Sequence, residues 1–332
     1  MAQIVISEFF VTPPICIIED IKELYNNGNW IKALCRNKNS FPYLKQNVKK
    51  WLPIHIKWVS SHCEDISFLK RHKKYIDFAN LSSNTCINQL DEKILIENID
   101  KLDWWELSRN KNAVGFLKKY KKRIIWKAAC LSQSIEMLNW IDELYSSQQL
   151  DMYENWEFLS CNPHAIDILI KHKNFINKKN INLNPKAIDY LKENTHHINY
   201  KVLCHNNSKE AMKLIKERID RGYIDDISFE YLSTNSFAID ILKEHPEKIE
   251  WDMTILNENV GILYQFFPEK IEKYIKYTIN YPSVLPYIKD YLYKVSPVIL
   301  AINPEIFYTD KKNYKQKLQD IQSIINRIKN IK

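Results

Sequence analysis

The sequence predicts an all-α protein: an α-solenoid of roughly ten to twelve short helical pairs ending in a C-terminal capping helix. Glycine is scarce, a short phrase recurs along most of the chain, and no motif of a nucleotide-binding or all-β fold is present. Only four glycines occur, at 28, 115, 222 and 261, where an average chain carries roughly 7%. Glycine supplies positive-φ turns and the loops that cradle phosphates. Helices joined by Asn-, Asp- and Pro-based turns do not need it.

The recurring phrase is clearest in LSRNKNAVGFLKKYKKRIIW (107–126), LSCNPHAIDILIKHKNFIN (159–177), INLNPKAIDYLKENTHHINY (181–200) and LSTNSFAIDILKEHPEKIEW (232–251). More worn copies lie at 34–51, 59–78 and 203–219. With the Asn slot as marker, anchors fall at 37, 62, 84, 110, 133, 162, 184, 206, 235, 257, 281 and 303, spaced 22 to 29 residues apart.

Each unit opens with an aromatic (Trp58, Phe78, Trp104, Trp126, Trp156, Tyr200 or Trp251) that starts a helix of about two turns. A Leu-Ser follows, then an Asn placed to cap the next helix through its side-chain oxygen. Proline at 163, 185 and 304 suits the first helical position. In the Ala-Ile-x-x-Leu run, Ala165/Ile166/Leu169, Ala187/Ile188/Leu191 and Ala238/Ile239/Leu242 share one face, which predicts core. A polar turn, with Pro246 or Pro268 in two units, leads to the next aromatic. Helices of about seven and eleven residues are marginal alone and become stable when units stack. Insertions fall near 141–153 and 219–228. Residues 1–27 read as an N-terminal cap segment, 28–310 as the solenoid, and 311–332 as an amphipathic capping helix through Tyr314, Leu318, Ile321, Ile325 and Ile328.

The pattern L-S-x-N-P-x-A-I-x-x-L, followed by N/H-P-x-x-I-x-W, resembles a short helical repeat found in proteins of large nucleocytoplasmic DNA viruses. The resemblance covers most of 28–310 and is most specific at 156–251. It implies a helical-repeat architecture and a viral or intracellular setting, and no catalytic residues.

Candidate chemistry reads as scaffold. Cys161 and His164 offer one ligand pair where a structural zinc site needs four ligands, and neighbouring units hold Leu183/Lys186 and Thr234/Phe237 there. Cys35, Cys161 and Cys204 are read as sharing a small-residue position just before the Asn. His196-His197 lacks a metalloprotease frame, and Asp225-Asp226 and Asp151/Glu154/Glu157 read as solvated or helix-start charges. The aromatic stripe reads as packing rather than as a base-stacking platform. The seven cysteines are scattered singly, which predicts reduced thiols in an intracellular compartment. No cofactor, metal, catalytic residue, signal peptide or membrane partner is expected.

Charge is segregated, with net +8 over 1–126, −6 over 127–310 and +6 over 311–332. In the basic front, cations cluster where the second helix of a unit ends: Lys45/Lys49/Lys50, then Lys70, Arg71, Lys73 and Lys74, then Lys118, Lys119, Lys121, Lys122 and Arg123. Dipole complementarity accounts for one or two cations per helix end, not for five in six. The expectation is a basic ridge on a non-enzymatic protein–protein scaffold, a virion-associated structural protein or a host-interaction adaptor, whose partner is another protein with an acidic surface. A nucleic-acid-binding solenoid using 45–123 is the alternative. Self-association through oppositely charged parts of two copies is a further option.

Overall fold

The computed structural model describes residues 56, 57, 59–278 and 281–284. Every regular element among them is an α- or 3₁₀-helix and none is a strand, so the protein is all-α. The segment 1–27, the copy at 34–51, Trp58, and the capping helix at 311–332 lie outside the described residues. Those described form two compact bodies, Ser60–Ile241 and one containing the residues from Leu242 onward.

In Ser60–Ile241 a unit begins with a short helix, as in Phe78–Leu81, Trp104–Arg109, Trp156–Cys161 and Phe229–Thr234. In several units the residue before the aromatic caps the helix: Asp103 accepts from the Trp105 and Glu106 N–H groups, and Asn199 from that of Val202, whereas Asn155 before Trp156 makes no such bond. The expected eleven-residue second helix is instead cut in two. Ile66–Arg71, Val114–Lys119, Ile166–Lys171 and Ile188–Glu193 span six residues each. Each is followed by a three-residue 3₁₀ turn, Lys73–Tyr75, Lys121–Arg123, Lys173–Phe175 or Thr195–His197. The residue at the cut leaves helical geometry, and its side chain can add a second bond to a carbonyl that its own backbone N–H already reaches. Asn194 Nδ2 donates to Tyr190 O at 2.8 Å, and His72 Nδ1 lies 2.9 Å from Phe68 O. The two insertions take the form of longer second helices, Ile135–Ser146 and Lys209–Asp220 of twelve residues each, capped by Ser134 and Ser208. Their exits need positive φ, at Gln148 (59°) and Gly222 (87°).

The Asn slot does more than cap. Asn162 Oδ1 accepts from the His164 N–H at 2.9 Å, as a cap should. Its Nδ2 donates to the carbonyls of Cys130 (2.7 Å) and Ser132 (2.8 Å) in the preceding unit. Asn110 reaches Ser82 and Asn84, Asn184 reaches Ser160 and Asn162, and Asn235 reaches Cys204 and Asn206 in the same way. Asn84 reaches Ser60 and Cys63. One amide thus satisfies a helix start and two buried carbonyls.

The serine slot supplies the complementary link. Ser82 and Ser160 donate to the carbonyls of Phe78 and Trp156. Their hydroxyls accept from the backbone N–H groups of Asp103 and Asn177, which cap the next unit. This pairing corrects two registers. The anchor placed at 133 is Ser132, because Asn162 takes the Cys130 and Ser132 carbonyls as Asn110 takes those of Ser82 and Asn84. Cys204 occupies the serine slot, two residues before Asn206, and its thiol donates to the Tyr200 carbonyl at 3.1 Å. Cys161 is one residue before its Asn and donates to Phe158 O at 3.2 Å. Cys161 and Cys204 therefore do not share one position, and Cys35 lies outside the described residues.

Ala165, Leu169, Ala187, Leu191, Ala238 and Leu242 are buried, and so are Ile188 and Ile239. Ile166 is not fully so; Ile168 is the buried isoleucine of its helix. Gly115 stands in the helix Val114–Lys119 with open space where a Cβ would point. Gly115→Ala should raise stability by about 0.5–1 kcal/mol through restricted unfolded-chain freedom, read as a higher urea midpoint.

In the second body, the helices Val260–Phe266 and Ile271–Thr278 are followed by the turn Pro282–Val284. Gly261 is required there, because a Cβ would collide with the Ser283 backbone. Ser283 Oγ fastens the contact by donating to Glu258 O at 2.5 Å and accepting from Gly261 N–H at 3.2 Å. The slot read at 281 moves to 280, outside the described residues, because Thr278 bonds back to the Tyr274 carbonyl as the serines do.

Candidate functional site

All nine cations expected to form the ridge are at or just after the ends of second helices. Lys70 and Arg71 close Ile66–Arg71, and Lys73 and Lys74 start the following turn. Lys118 and Lys119 close Val114–Lys119, while Lys121, Lys122 and Arg123 form the turn after it. Lys73/Lys74 and Lys121/Lys122 therefore fill equivalent slots of two units.

The ridge is not uniformly free. Lys118 pairs with Glu136 at 2.7 Å, Lys119 with Glu92 at 2.7 Å, and Arg123 with Asp100 at 2.8 Å. Each carboxylate belongs to a neighbouring unit. Arg123 also lies 5.5 Å from the Trp104 ring centre and Lys118 lies 5.8 Å from that of Trp140. These three tie units together, each pair contributing about 0–1 kcal/mol at such exposure. Lys70, Arg71, Lys73, Lys74, Lys121 and Lys122 form no ion pair among the described residues. Lys121 is half-buried and the other five are exposed.

The remaining candidates do not converge. Among the described residues, no group of three or more His, Cys, Asp or Glu side chains is placed to hold a metal ion. His164 is exposed. His172 Nε2 lies 2.7 Å from Asp142 Oδ1, with its ring against Tyr145 and Trp156. Lys171 also binds Asp142 at 2.7 Å. Burial opposes ionisation of Asp142, but these two partners outweigh it and hold the carboxyl below its usual range. His197 bonds the Tyr190 hydroxyl at 2.9 Å, and Arg218 bonds Asp226. Burial pushes the Cys130 thiol up to about 12 and that of Cys204 to about 11, so neither forms a thiolate at neutral pH.

One feature has no counterpart in the sequence reading. Tyr145, Trp156, His172 and Phe175 form a ring cluster, with Phe175 stacked on Trp156 at 5.2 Å and Tyr145 edge-on to Trp156 at 5.2 Å. A hollow of about 750 Å³ opens beside it, edged by Asp151, Tyr153, Glu154 and Glu157. The acidic residues had read as a solvated face. The available signal was Phe175 itself, which sits where the unit opened by Trp104 has Arg123.

No described helix is long and apolar enough to cross a membrane. Set against protein-family models, curated proteins and solved structures, the chain finds no match in any of the three.

Proposed function

We propose that the chain is a non-enzymatic α-solenoid scaffold, of the short-repeat kind its phrases resemble, that docks an acidic surface of another protein along its basic edge. The observation that carries this reading is the division among the nine cations. Three are neutralised by carboxylates of neighbouring units, while six at equivalent helix ends have no ion-pair partner among the described residues. Unpaired like charges held close together repel one another, and an anionic partner relieves that repulsion. The role would be that of a virion-associated structural protein or a host-directed adaptor.

The test is titration of the full chain with a fluorescent oligo-glutamate peptide and, separately, with duplex DNA, at low and moderate salt. Reversal of Lys73, Lys74, Lys121 and Lys122 to Glu should weaken peptide binding at least about tenfold while leaving the melting temperature unchanged. Tight DNA binding with a steep salt dependence, and none to the peptide, would favour the nucleic-acid reading instead. If neither probe binds, the edge is a solvated face.

A further inference from the structure

In four units a cation of the chain lies over the aromatic that opens the unit. Lys101 lies 5.9 Å from the Phe78 ring centre, Arg123 5.5 Å from Trp104, and Arg218 5.0 Å from Tyr200. In the second body Lys270 lies 5.4 Å from Trp251. Lys101, Arg123 and Lys270 are each the third residue of the 3₁₀ turn that ends the unit, in Ile99–Lys101, Lys121–Arg123 and Pro268–Lys270.

Among the described residues the unit opened by Trp126, whose ring meets Trp140, has no such cation, nor has that opened by Trp156. Its turn Lys173–Phe175 ends in Phe175, which lies flat on Trp156 and is 48% exposed. The aromatic surface is thereby carried outward instead of being covered. Among the described residues, no lysine or arginine lies over Trp156, Phe175, Tyr145 or Tyr153. The hollow of about 750 Å³ adjoins this surface, and Tyr153, 89% exposed, stands at its edge. Asp151 and Glu157 border it and form no ion pair among the described residues, though Lys127 feels the charge of Glu157. Lys127, also at the border, is matched by Glu154 at 2.8 Å and lies against Phe158, which leaves Lys178 as the one unmatched cation among the lining residues.

We propose that this hollow binds the guanidinium of an arginine in a basic segment of a partner protein. Such a side chain would supply the cation that the unit lacks. A planar guanidinium can stack on Phe175 while its N–H groups reach Asp151 or Glu157, which a lysine ammonium cannot do as well. The site differs in charge and place from the basic edge, and the two stand or fall separately.

Calorimetric titration of the full chain with a blocked tri-arginine peptide tests the assignment, with the neutral tri-citrulline peptide as control. Arginine should bind and citrulline should not. Phe175→Lys, which puts a cation where Lys101, Arg123 and Lys270 stand in their units, should weaken binding at least about tenfold. Asp151→Asn with Glu157→Gln should also weaken it, and Phe175→Ala should do so without adding charge. Melting curves identify any variant that fails to fold. The charge-reversed basic edge should leave tri-arginine binding at least as strong as before. No binding by the unaltered chain, equal binding of citrulline, or equal binding by all folded hollow variants would overturn the proposal.

Discussion

Asn162→Asp should destabilise the body Ser60–Ile241 by about 3–5 kcal/mol, among the largest effects of any single polar substitution. The aspartate keeps the oxygen that accepts from the His164 N–H, so the cap survives. It has no N–H groups to offer the Cys130 and Ser132 carbonyls, now 2.7 and 2.8 Å from the amide nitrogen. Both carbonyls lose their cross-unit donor in a place closed to water, and a carboxylate oxygen is brought against them. Asn162→Ser should be milder, because a hydroxyl keeps the cap and carries no charge, as native Ser132 does by accepting from the Ser134 N–H at 3.2 Å. Urea titration, with hydrogen exchange resolved over 130–176, measures both. An Asp variant within about 1 kcal/mol of the parent would mean that the rung holds no units together.

That result bears on why asparagine recurs. A helix cap alone is served as well by Ser or Asp, so the recurrence of Asn in most units points to its donors as well as its acceptor. The repeated Leu, Ser, Asn, Ala and Leu were legible as a phrase because each fills a buried or capping slot in the clearest units. The direction in which the Asn amide points was not, since its partners lie 21 to 32 residues earlier in the chain and become neighbours only on folding. The break in the second helix was equally hidden. It depends on the backbone at His72, Tyr120, His172 and Asn194, residues with no common side-chain chemistry.

The charged features follow the same division. Clustering of cations at helix ends is a local property, and all nine expected residues are found there. Which of them are neutralised depends on Glu92, Asp100 and Glu136, 18 to 27 residues away, and no local pattern marks those partners. The hollow at Phe175 was legible only as an exception. Its meaning appears when Lys101, Arg123 and Lys270 are seen over the rings that Phe175 instead extends.

Leu169→Ala should cost about 2–5 kcal/mol, while Ile166→Ala in the same helix should cost about 1 kcal/mol. The Ala-Ile-x-x-Leu spacing puts both on one face, and periodicity alone ranks them equally. The structure separates them. Leu169 is 0% exposed, so its removal leaves a cavity among packed neighbours. Ile166 starts the α segment immediately after the turn Pro163–Ala165 and keeps part of its surface in water. A half-exposed side chain has already forgone part of its transfer free energy, and solvent can fill the space it vacates. Equal losses for the two variants in urea titration would mean that the helix is turned further inward than the structure places it. A near-neutral Leu169→Ala would remove this face from the core, and with it the physical reason for short helices of this kind to stack at all.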